Sequence, residues 1–159
     1  MGSEIPLGYM LNRSRRVFKN QMASELREKK IDLSFEQYVI LKLLHFNTNL
    51  IQQDLADRLQ KDKSIIVRHI NCLLEHNYVV RVTNQADQRK KNLTLTSDGV
   101  AILNQMKVIA ADVTNKLLVG VSETELQIFQ DVLLKIQENG DAEEYLCILG
   151  DQVEKREIS

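Results

Sequence analysis

Apolar side chains recur at every third or fourth position through most of this chain, the spacing that gathers them on one face of an α-helix. The pattern predicts helices over residues 7–29, 35–46, 52–59 and 63–76, and two more that start near Ser97 and after Ser122. Ser34 with Gln37 and Ser122 with Glu125 form capping boxes, which mark the starts of two of these helices. Residues 141–159 are compatible with one more amphipathic helix.

The pattern changes in the middle of the chain. Two β-prone runs, Tyr78–Val82 and Asn92–Leu95, are separated by the mostly polar segment 83–91. They predict a hairpin with a long basic tip, and Leu50-Ile51 could add a very short strand. Two short helices joined by a tight turn and followed at once by a hairpin form the winged helix-turn-helix layout. The chain is therefore predicted to be mainly α-helical with a small β-hairpin wing.

The predicted helix over residues 63–76 has two chemically different sides. One side carries Ile66, His69, Ile70 and Leu73, which can pack against the helix before it. Ser64, Arg68 and Asn71 gather on the opposite side, where they could hydrogen-bond to base edges or phosphates in the major groove of DNA. Ile65 and Val67 flank that side, where they could contact thymine methyl groups. The helix is therefore predicted to be a recognition helix.

Charge is unevenly distributed along the chain, although its formal net value is only −1. Residues 61–91 hold seven Lys and Arg against three Asp and Glu, whereas residues 97–159 hold five against twelve. A basic centre beside an acidic end favours contact of one face with a polyanion. Arg89, Lys90 and Lys91 would place cations at the tip of the wing, within reach of a minor groove or the DNA backbone. On charge alone, an ordinary solvated loop remains the alternative.

From about residue 7 to residue 137 the chain resembles the transcription factors of the MarR (multiple-antibiotic-resistance regulator) family. The segments that carry the resemblance are Leu33–Tyr38, Asp54–Leu59, Asp62–Ser64 running into Val67-Arg68, Leu73–Glu75 followed by Tyr78-Val79, Asp87–Arg89 and Leu95–Gly99. The resemblance implies a homodimer, held by the N-terminal helix and the two C-terminal helices, on a pseudo-palindromic operator. It also implies that the helix from Lys63 reads the major groove, that Arg89 enters the minor groove, and that Asp87 helps to fix the wing.

Three positions around the helix-turn-helix depart from the usual pattern of that family, and in the wing Asn84 and Gln85 are neutral where arginines are common. Ile51 occupies a place where Ser or Thr usually caps the first helix of the motif. Gln60 lies in the turn that often carries Gly, and Asn77 replaces the Gly that usually follows the recognition helix. Asn tolerates the left-handed conformation that Gly adopts there, so the last change is mild.

We therefore predict a sequence-specific DNA-binding transcriptional regulator, a ligand-responsive homodimeric repressor that uses no cofactor. Residues 34–96 would form its DNA-binding region, and residues 1–33 and 97–159 the helical dimerisation region of one continuous domain. A small apolar or aromatic effector could lodge between the N-terminal helices and the helix from Ser97. The candidate liners are Tyr9, Phe18, Tyr38 and Met106, for which plain core or dimer packing is the alternative interpretation.

Other functions find less support in the residues. There is no Gly-rich phosphate loop and no Ser-His-Asp pattern, so we do not expect an enzyme. His69, Cys72 and His76 share part of one helix face, but no carboxylate completes a metal site. Of the two cysteines, Cys72 could be a reactive thiol and Cys147 a buried small hydrophobe. A winged-helix module for protein interaction, without DNA binding, remains the alternative function.

The expected location is the cytoplasm. No window approaches the ~20 consecutive apolar residues that a membrane span needs, and the N-terminus does not resemble an export signal. No membrane partner is therefore expected.

Overall fold

The computed structural model describes residues 6–140, which form six helices and one antiparallel pair of strands. In chain order these are α1 (Leu7–Glu28), α2 (Phe35–Phe46), α3 (Gln52–Leu59), α4 (Lys63–Glu75), β1 (Val79–Thr83), β2 (Lys91–Leu95), α5 (Ser97–Leu117) and α6 (Glu123–Asn139). The predicted fold class, mainly α-helical with a hairpin wing, is confirmed. The predicted recognition helix ends one residue earlier than expected, at Glu75.

The helices α2, α5 and α6 begin where a side chain accepts from one of their first backbone N–H groups. The Ser34 hydroxyl accepts from the backbone N–H of Gln37 at 3.2 Å, and the Gln37 side-chain oxygen accepts from the backbone N–H of Ser34 at 2.6 Å. Ser122 and Glu125 repeat this reciprocal capping box at the start of α6. Thr96 caps α5 by accepting a backbone N–H bond through its hydroxyl. Local side-chain chemistry therefore sets these helix boundaries.

One short element was predicted wrongly. Leu50 and Ile51 form no strand, and the contact of this segment with the wing is a single backbone hydrogen bond. In that bond, the N–H of Leu93 on β2 donates to the carbonyl oxygen of Leu50 at 2.8 Å. The chain turns into α3 at Gln52, too soon for a second ladder bond to form.

The hydrophobic core joins the winged region to the long helices on either side of it. Its fully buried side chains are Met22 and Leu26 of α1, Ile40, Leu41 and Leu43 of α2, Leu55 of α3, Ile66, Ile70 and Leu73 of α4, Leu93 of β2, and Leu103 and Met106 of α5. A salt bridge between Glu25 and Lys116 also ties α1 to α5. The wing and the recognition helix are therefore fixed to the same core as the flanking helices.

α6 differs from the other helices because none of its residues is buried. Its sequence predicts an apolar stripe, and Ile128, Phe129, Val132 and Ile136 of that helix are exposed. Exposed apolar residues also occur at the start of α1, where Leu7, Tyr9 and Met10 lie. Large exposed apolar patches usually mark contact sites for another molecule.

Some predictions lie outside the described residues. These include the helix over residues 141–159 and the burial of Cys147. The division into residues 34–96 and the flanking regions also stays a prediction. Among the described helices, none combines the length and apolar character needed to cross a bilayer.

Candidate nucleic-acid interface

A residue in the left-handed conformation makes the tight turn between α3 and α4. Gln60 has a φ of +48°, a region that costs an L-residue other than Gly ~1–2 kcal/mol. Its backbone N–H donates to the carbonyl of Asp57 at 3.2 Å, and that of Lys61 donates to the carbonyl of Ala56 at 3.1 Å. These bonds satisfy carbonyl groups at the end of α3 while the chain reverses. The turn therefore forms with Gln60 in place of Gly.

The two other departures from the family pattern are also accommodated. Ile51 has no side-chain acceptor for an N-terminal cap, but the carboxylate of Asp54 accepts from the backbone N–H of Ile51 at 2.8 Å. α3 thus keeps half of a capping box. Asn77 follows α4 with a φ of +57°, the left-handed conformation expected for it.

α4 buries one side and exposes the other. The buried side carries Ile66, Ile70 and Leu73, each at most 1% exposed. The exposed side carries Lys63, Ser64, Arg68, Asn71 and Glu75. This arrangement agrees with the two faces predicted from the sequence. It leaves hydroxyl, guanidinium and amide groups along the outer surface of a helix whose inner surface is fixed to the core.

Ile65 and Val67 do not occupy equivalent places beside that outer surface. Both are half-buried, but Ile65 lines a cavity on the inner side of α4, together with His69. The thymine contact predicted for Ile65 is therefore not supported by its position. A helical wheel cannot show this, because the space beside Ile65 is created by packing against α1 and α2.

The wing is a regular hairpin whose tip is held by its own side chains. Val79 pairs with Leu95 and Thr83 with Lys91, which leaves residues 84–90 as the tip. The Asp87 carboxylate accepts from the backbone N–H of Arg89 at 3.1 Å, and its carbonyl accepts from that of Lys90 at 2.9 Å. This geometry suits the role in fixing the wing that the family resemblance implies for Asp87.

Three exposed cations extend from this end of the hairpin. They are Arg89, Lys90 and Lys91. The ammonium group of Lys91 donates to the hydroxyl of Thr83 at 2.6 Å, across the two strands. Arg89 and Lys90 lie on the tip itself.

Arg81 makes contacts that its sequence position did not predict; the sequence indicated only its positive charge. Its guanidinium Nη2 donates to the side-chain oxygen of Gln52 at 2.8 Å and makes a longer contact of 3.4 Å with the Asn71 side-chain oxygen. Arg81 therefore joins β1 to the start of α3 and to the outer surface of α4. The alternation of the strand could have indicated it, because Arg81 pairs with buried Leu93.

A cavity of about 210 Å³ lies between α1, α2 and the helix-turn-helix. Its lining residues are Arg15, Phe35, Glu36, Val39, Ile40, Leu59, Lys61, Ile65, Ile66 and His69. The lining is mostly apolar, with the cations Arg15 and Lys61 among its polar groups. The same lining contains the carboxylate of Glu36.

The four residues predicted to line an effector pocket do not line this cavity. Tyr9 is 62% exposed, whereas Met106 is fully buried in the core. Phe18 and Tyr38 both pack against Phe35, with ring centroids 5.7 Å and 6.2 Å apart. No residue of α5 lines the cavity either, so the effector pocket predicted around these four residues stays a prediction. The predicted position beside the helix from Ser97 therefore differs from the position of this space.

An ion pair beside the cavity joins α1 to α2, and its charges act on His69 of α4. The ammonium group of Lys19 lies 2.5 Å from the carboxylate of Glu36. Burial opposes ionisation of Glu36, but this hydrogen bond and the charge of Lys19 leave its pKa below the usual value. The pKa of His69 is lowered mainly by burial and partly by Arg68 and Lys19, against the opposing effect of Glu36.

The thiol and imidazole groups near the end of α4 form a pair and no larger cluster. The sulfur of Cys72 lies 3.7 Å from Nδ1 of His76, and the His76 ring stacks on Tyr78. Within residues 6–140, no group of three or more His, Cys, Asp or Glu side chains is placed to hold a metal ion. His69 faces the cavity and not this pair.

The segment that contains the helix-turn-helix and the wing is similar to known transcriptional regulators. The MarR family model matches residues 33–91, from the approach to α2 through the wing. The HTH-type transcriptional regulator SarZ of Staphylococcus aureus is 28% identical over 97 residues, which are 61% of this chain and 64% of that regulator. The match thus spans less than two thirds of the relative.

Solved structures resemble a larger part of the chain. A MarR transcriptional regulator from Methanosarcina mazei superposes with a TM-score of 0.75 at 23% identity, over 84% of this chain and 95% of that one. A MarR-family protein of Mycobacterium tuberculosis, solved in complex with p-aminosalicylic acid, has a TM-score of 0.68 at 21% identity, over 82% of this chain and 98% of that one. At these identities the superpositions establish the shared winged-helix fold.

Proposed function

We propose that this chain, a member of the MarR family of transcriptional regulators, is a homodimeric repressor that binds a pseudo-palindromic operator. The observation that carries the proposal is the two-sided character of α4. Its inner side is locked in the core while Ser64, Arg68 and Asn71 are exposed on its outer side. Such a helix can enter a major groove while its inner side stays packed in the hydrophobic core.

Each exposed group of α4 has a chemical role in this proposal. Arg68 can donate two hydrogen bonds to guanine, and Asn71 and Ser64 can bond to other base edges. Lys63, at the first turn, is placed to meet a phosphate beside the helix N-terminus. Val67 is the remaining half-buried apolar group that could touch a thymine methyl group.

The wing would supply the second set of DNA contacts. Arg89 and Lys90 are exposed at its tip, and the bond from Arg89 N–H to Asp87 orders the backbone that carries them. We assign Arg89 to the adjacent minor groove, and Lys90 and Lys91 to the phosphate backbone. Lys91 would have to exchange its bond to Thr83 for the phosphate, so its contribution should be the smallest of the three.

The partner in the homodimer is proposed from the apolar surfaces that are exposed within residues 6–140 of a single chain. α6 buries none of its residues, although Phe129, Val132 and Ile136 repeat along one side of it. Leu7 and Met10 at the start of α1 are exposed as well. A second copy that covers these side chains would set the spacing of two recognition helices at about one turn of DNA.

The cavity between α1, α2 and α4 is the site that we propose for an effector. Arg15 and Lys61 favour a carboxylate, because the acidic group of the lining, Glu36, is already paired with Lys19, and the apolar lining favours an aromatic ring. The Mycobacterium tuberculosis relative was solved with p-aminosalicylic acid, which is a ligand of this chemical class. Because Ile65 and His69 of α4 line the cavity, a bound ring would displace the recognition helix and weaken operator binding.

DNA binding can be tested with duplexes of about 30 base pairs, roughly three helical turns, selected by the protein from a randomised library. Fluorescence anisotropy at two salt concentrations should show specific binding that weakens steeply as salt rises. Arg68→Ala should weaken binding to the selected duplex by ~1–3 kcal/mol. Arg27→Ala removes an equal charge from an exposed position of α1 and should have little effect.

Two outcomes would contradict the assignment. If no duplex is enriched, the chain would instead be a winged-helix module for protein interaction. If Arg68→Ala and Arg89→Ala both bind the selected duplex like the wild type, the outer side of α4 and the wing are not the reading surface.

The dimer has its own test. Phe129→Asp places a charge in the apolar stripe of α6 and should shift sedimentation towards the monomer, because burying an unpaired charge is costly. Gln130→Asp, at the next position of the same helix, is exposed and already polar, and it should leave the dimer intact. Equal behaviour of the two variants would place the interface elsewhere.

The effector site can be probed with p-aminosalicylate and with benzamide, an aromatic ring without a negative charge. We expect p-aminosalicylate to release the selected duplex at a lower concentration than benzamide does. Arg15→Ala should abolish that difference while leaving DNA binding without ligand unchanged, because Arg15 lies on α1 beside the cavity. An unaltered preference for the anion would exclude the cavity as its site.

A further inference from the structure

Three asparagines connect the turn before α3 to the wing. Asn92 on β2 is only 7% exposed, and both ends of its side-chain amide are used. Its nitrogen donates to the side-chain oxygen of Asn49 at 3.1 Å, and its oxygen accepts from the side-chain nitrogen of Asn84 at 3.2 Å. A buried amide that keeps both partners is a fixed point in the fold.

From Asn84 the connection continues into the tip of the wing. The side-chain oxygen of Asn84 accepts from the backbone N–H groups of Ala86 at 2.8 Å and Asp87 at 3.0 Å. The Asp87 carboxylate then accepts from the backbone N–H of Arg89 at 3.1 Å. An unbroken series of hydrogen bonds therefore runs from the side chain of Asn49 to the backbone N–H of Arg89, the arginine at the tip of the wing.

The two ends of this series are themselves held in place. Asn49 adopts a φ of +64°, and Leu50 beside it receives the backbone hydrogen bond from Leu93 at 2.8 Å. At the tip, the backbone N–H of Asn84 donates to the carbonyl of Lys90 at 3.0 Å. The backbone bonds fix the base of the wing at Leu93 and the start of its tip at Asn84. The asparagine amides fix the direction of the loop that follows Asn84.

We propose that Asn92, with Asn49 and Asn84, is a positioning residue for DNA binding that sets where Arg89 lies relative to the recognition helix. This inference rests on the proposed function. An arm that is ordered before binding loses less conformational entropy on the DNA than a mobile arm does. The amide of Asn92 suits the middle position because its nitrogen donates to Asn49 while its oxygen accepts from Asn84.

The test is a double-mutant cycle that combines the asparagines with Arg89. On the duplex selected by the wild type, Arg89→Ala should weaken binding about tenfold. In the background of Asn92→Ala, the same Arg89→Ala change should weaken binding by less than about twofold, because the arginine is already misplaced. A purely structural defect would lower affinity but leave the tenfold effect of Arg89→Ala intact.

Variants at the ends of the series keep the test informative if Asn92→Ala folds poorly. Asn49→Gly removes the amide and keeps the left-handed backbone easy to adopt. Asn84→Ala cuts the series at the tip, whereas Gln85→Ala removes an exposed amide from the same loop as a matched control. We expect the first two to reduce the Arg89 effect and the third to leave it at its full size.

Hydrogen exchange without DNA provides the second readout. Exchange at the backbone N–H groups of Ala86, Asp87 and Arg89 should accelerate in Asn49→Gly and Asn92→Ala, and stay slow in Gln85→Ala. If the wild type binds DNA but these rates and the Arg89 effect are unchanged, the positioning role is refuted and the proposed function is not. If the wild type selects no duplex at all, both proposals fail together.

Discussion

Replacing Gly99 by Ala would test how tightly α5 is joined to the end of the recognition helix. A Cβ atom at this position would lie 2.0 Å from the carbonyl oxygen of Tyr78 and 2.9 Å from its carbonyl carbon. These are backbone atoms, so no side-chain rotation can relieve the overlap. The start of α5 and the segment before β1 would have to separate by about 1 Å or more to restore normal contact.

The size of the effect follows from two contributions. Forcing an extra carbon into a packed site costs typically ~1–3 kcal/mol. The carbonyl of Tyr78 also accepts from the backbone N–H of Thr96 at 3.1 Å, a bond worth about 1 kcal/mol that the separation would strain. We expect Gly99→Ala to lower the free energy of unfolding by about 3 kcal/mol and Tm by roughly 10 °C.

Thermal unfolding followed by circular dichroism, at one fixed protein concentration, would measure this loss. Gly8→Ala is the matched control, because Gly8 lies in α1 with no atom within 4 Å of the position that a Cβ would take. That substitution should leave Tm unchanged or raise it slightly. A Gly99→Ala variant that melts within about 2 °C of the wild type would show that the close approach of Gly99 to Tyr78 is not part of the fold.

Two further predictions concern the turn and the cavity. Gln60→Gly should raise the free energy of unfolding by about 0.5–1 kcal/mol, because Gly adopts a φ near +48° without strain. The control Gln105→Gly, in the middle of α5, should lower the free energy of unfolding by a similar amount. Urea titration of both variants measures these changes, and a loss of stability in Gln60→Gly would contradict the reasoning. The lowered pKa of His69 means that the unfolded chain binds a proton more readily, so stability should fall as pH drops through the ordinary value of 6.5. Urea midpoints between pH 7.5 and 5.5 should therefore fall less steeply for His69→Gln than for the wild type, and parallel curves would exclude this role.

The helices could be predicted from the sequence because their signals are local. The capping boxes at Ser34 and Ser122 need only residues three positions apart, and the buried side of α4 follows from helical spacing. The exposed side of α4 follows for the same reason. What these side chains bind stays a prediction, because burial alone does not identify a partner.

The features that the sequence did not reveal depend on contacts between distant segments. Asn92 looks like a solvent-facing strand residue, and it becomes buried only because Asn49, far away in the chain, lies against it. Ile65 faces a cavity because α1 and α2 leave a space beside it. Strand alternation indicates which side of β1 carries Arg81, but its bonds to Gln52 of α3 and Asn71 of α4 depend on how these distant segments pack.

Because α6 exposes its apolar side chains, we expect the stability of this helix to depend on protein concentration. A helix of 17 residues with no fully buried side chain has only the partial burial of Leu126, Leu133 and Leu134 to add to its own backbone bonds and caps. If a second copy supplies the missing cover, dilution should melt α6 before it disturbs the winged region, which is held in the core that it shares with α1 and α5. Circular dichroism would then lose helical signal on dilution while the hairpin and recognition helix remain folded.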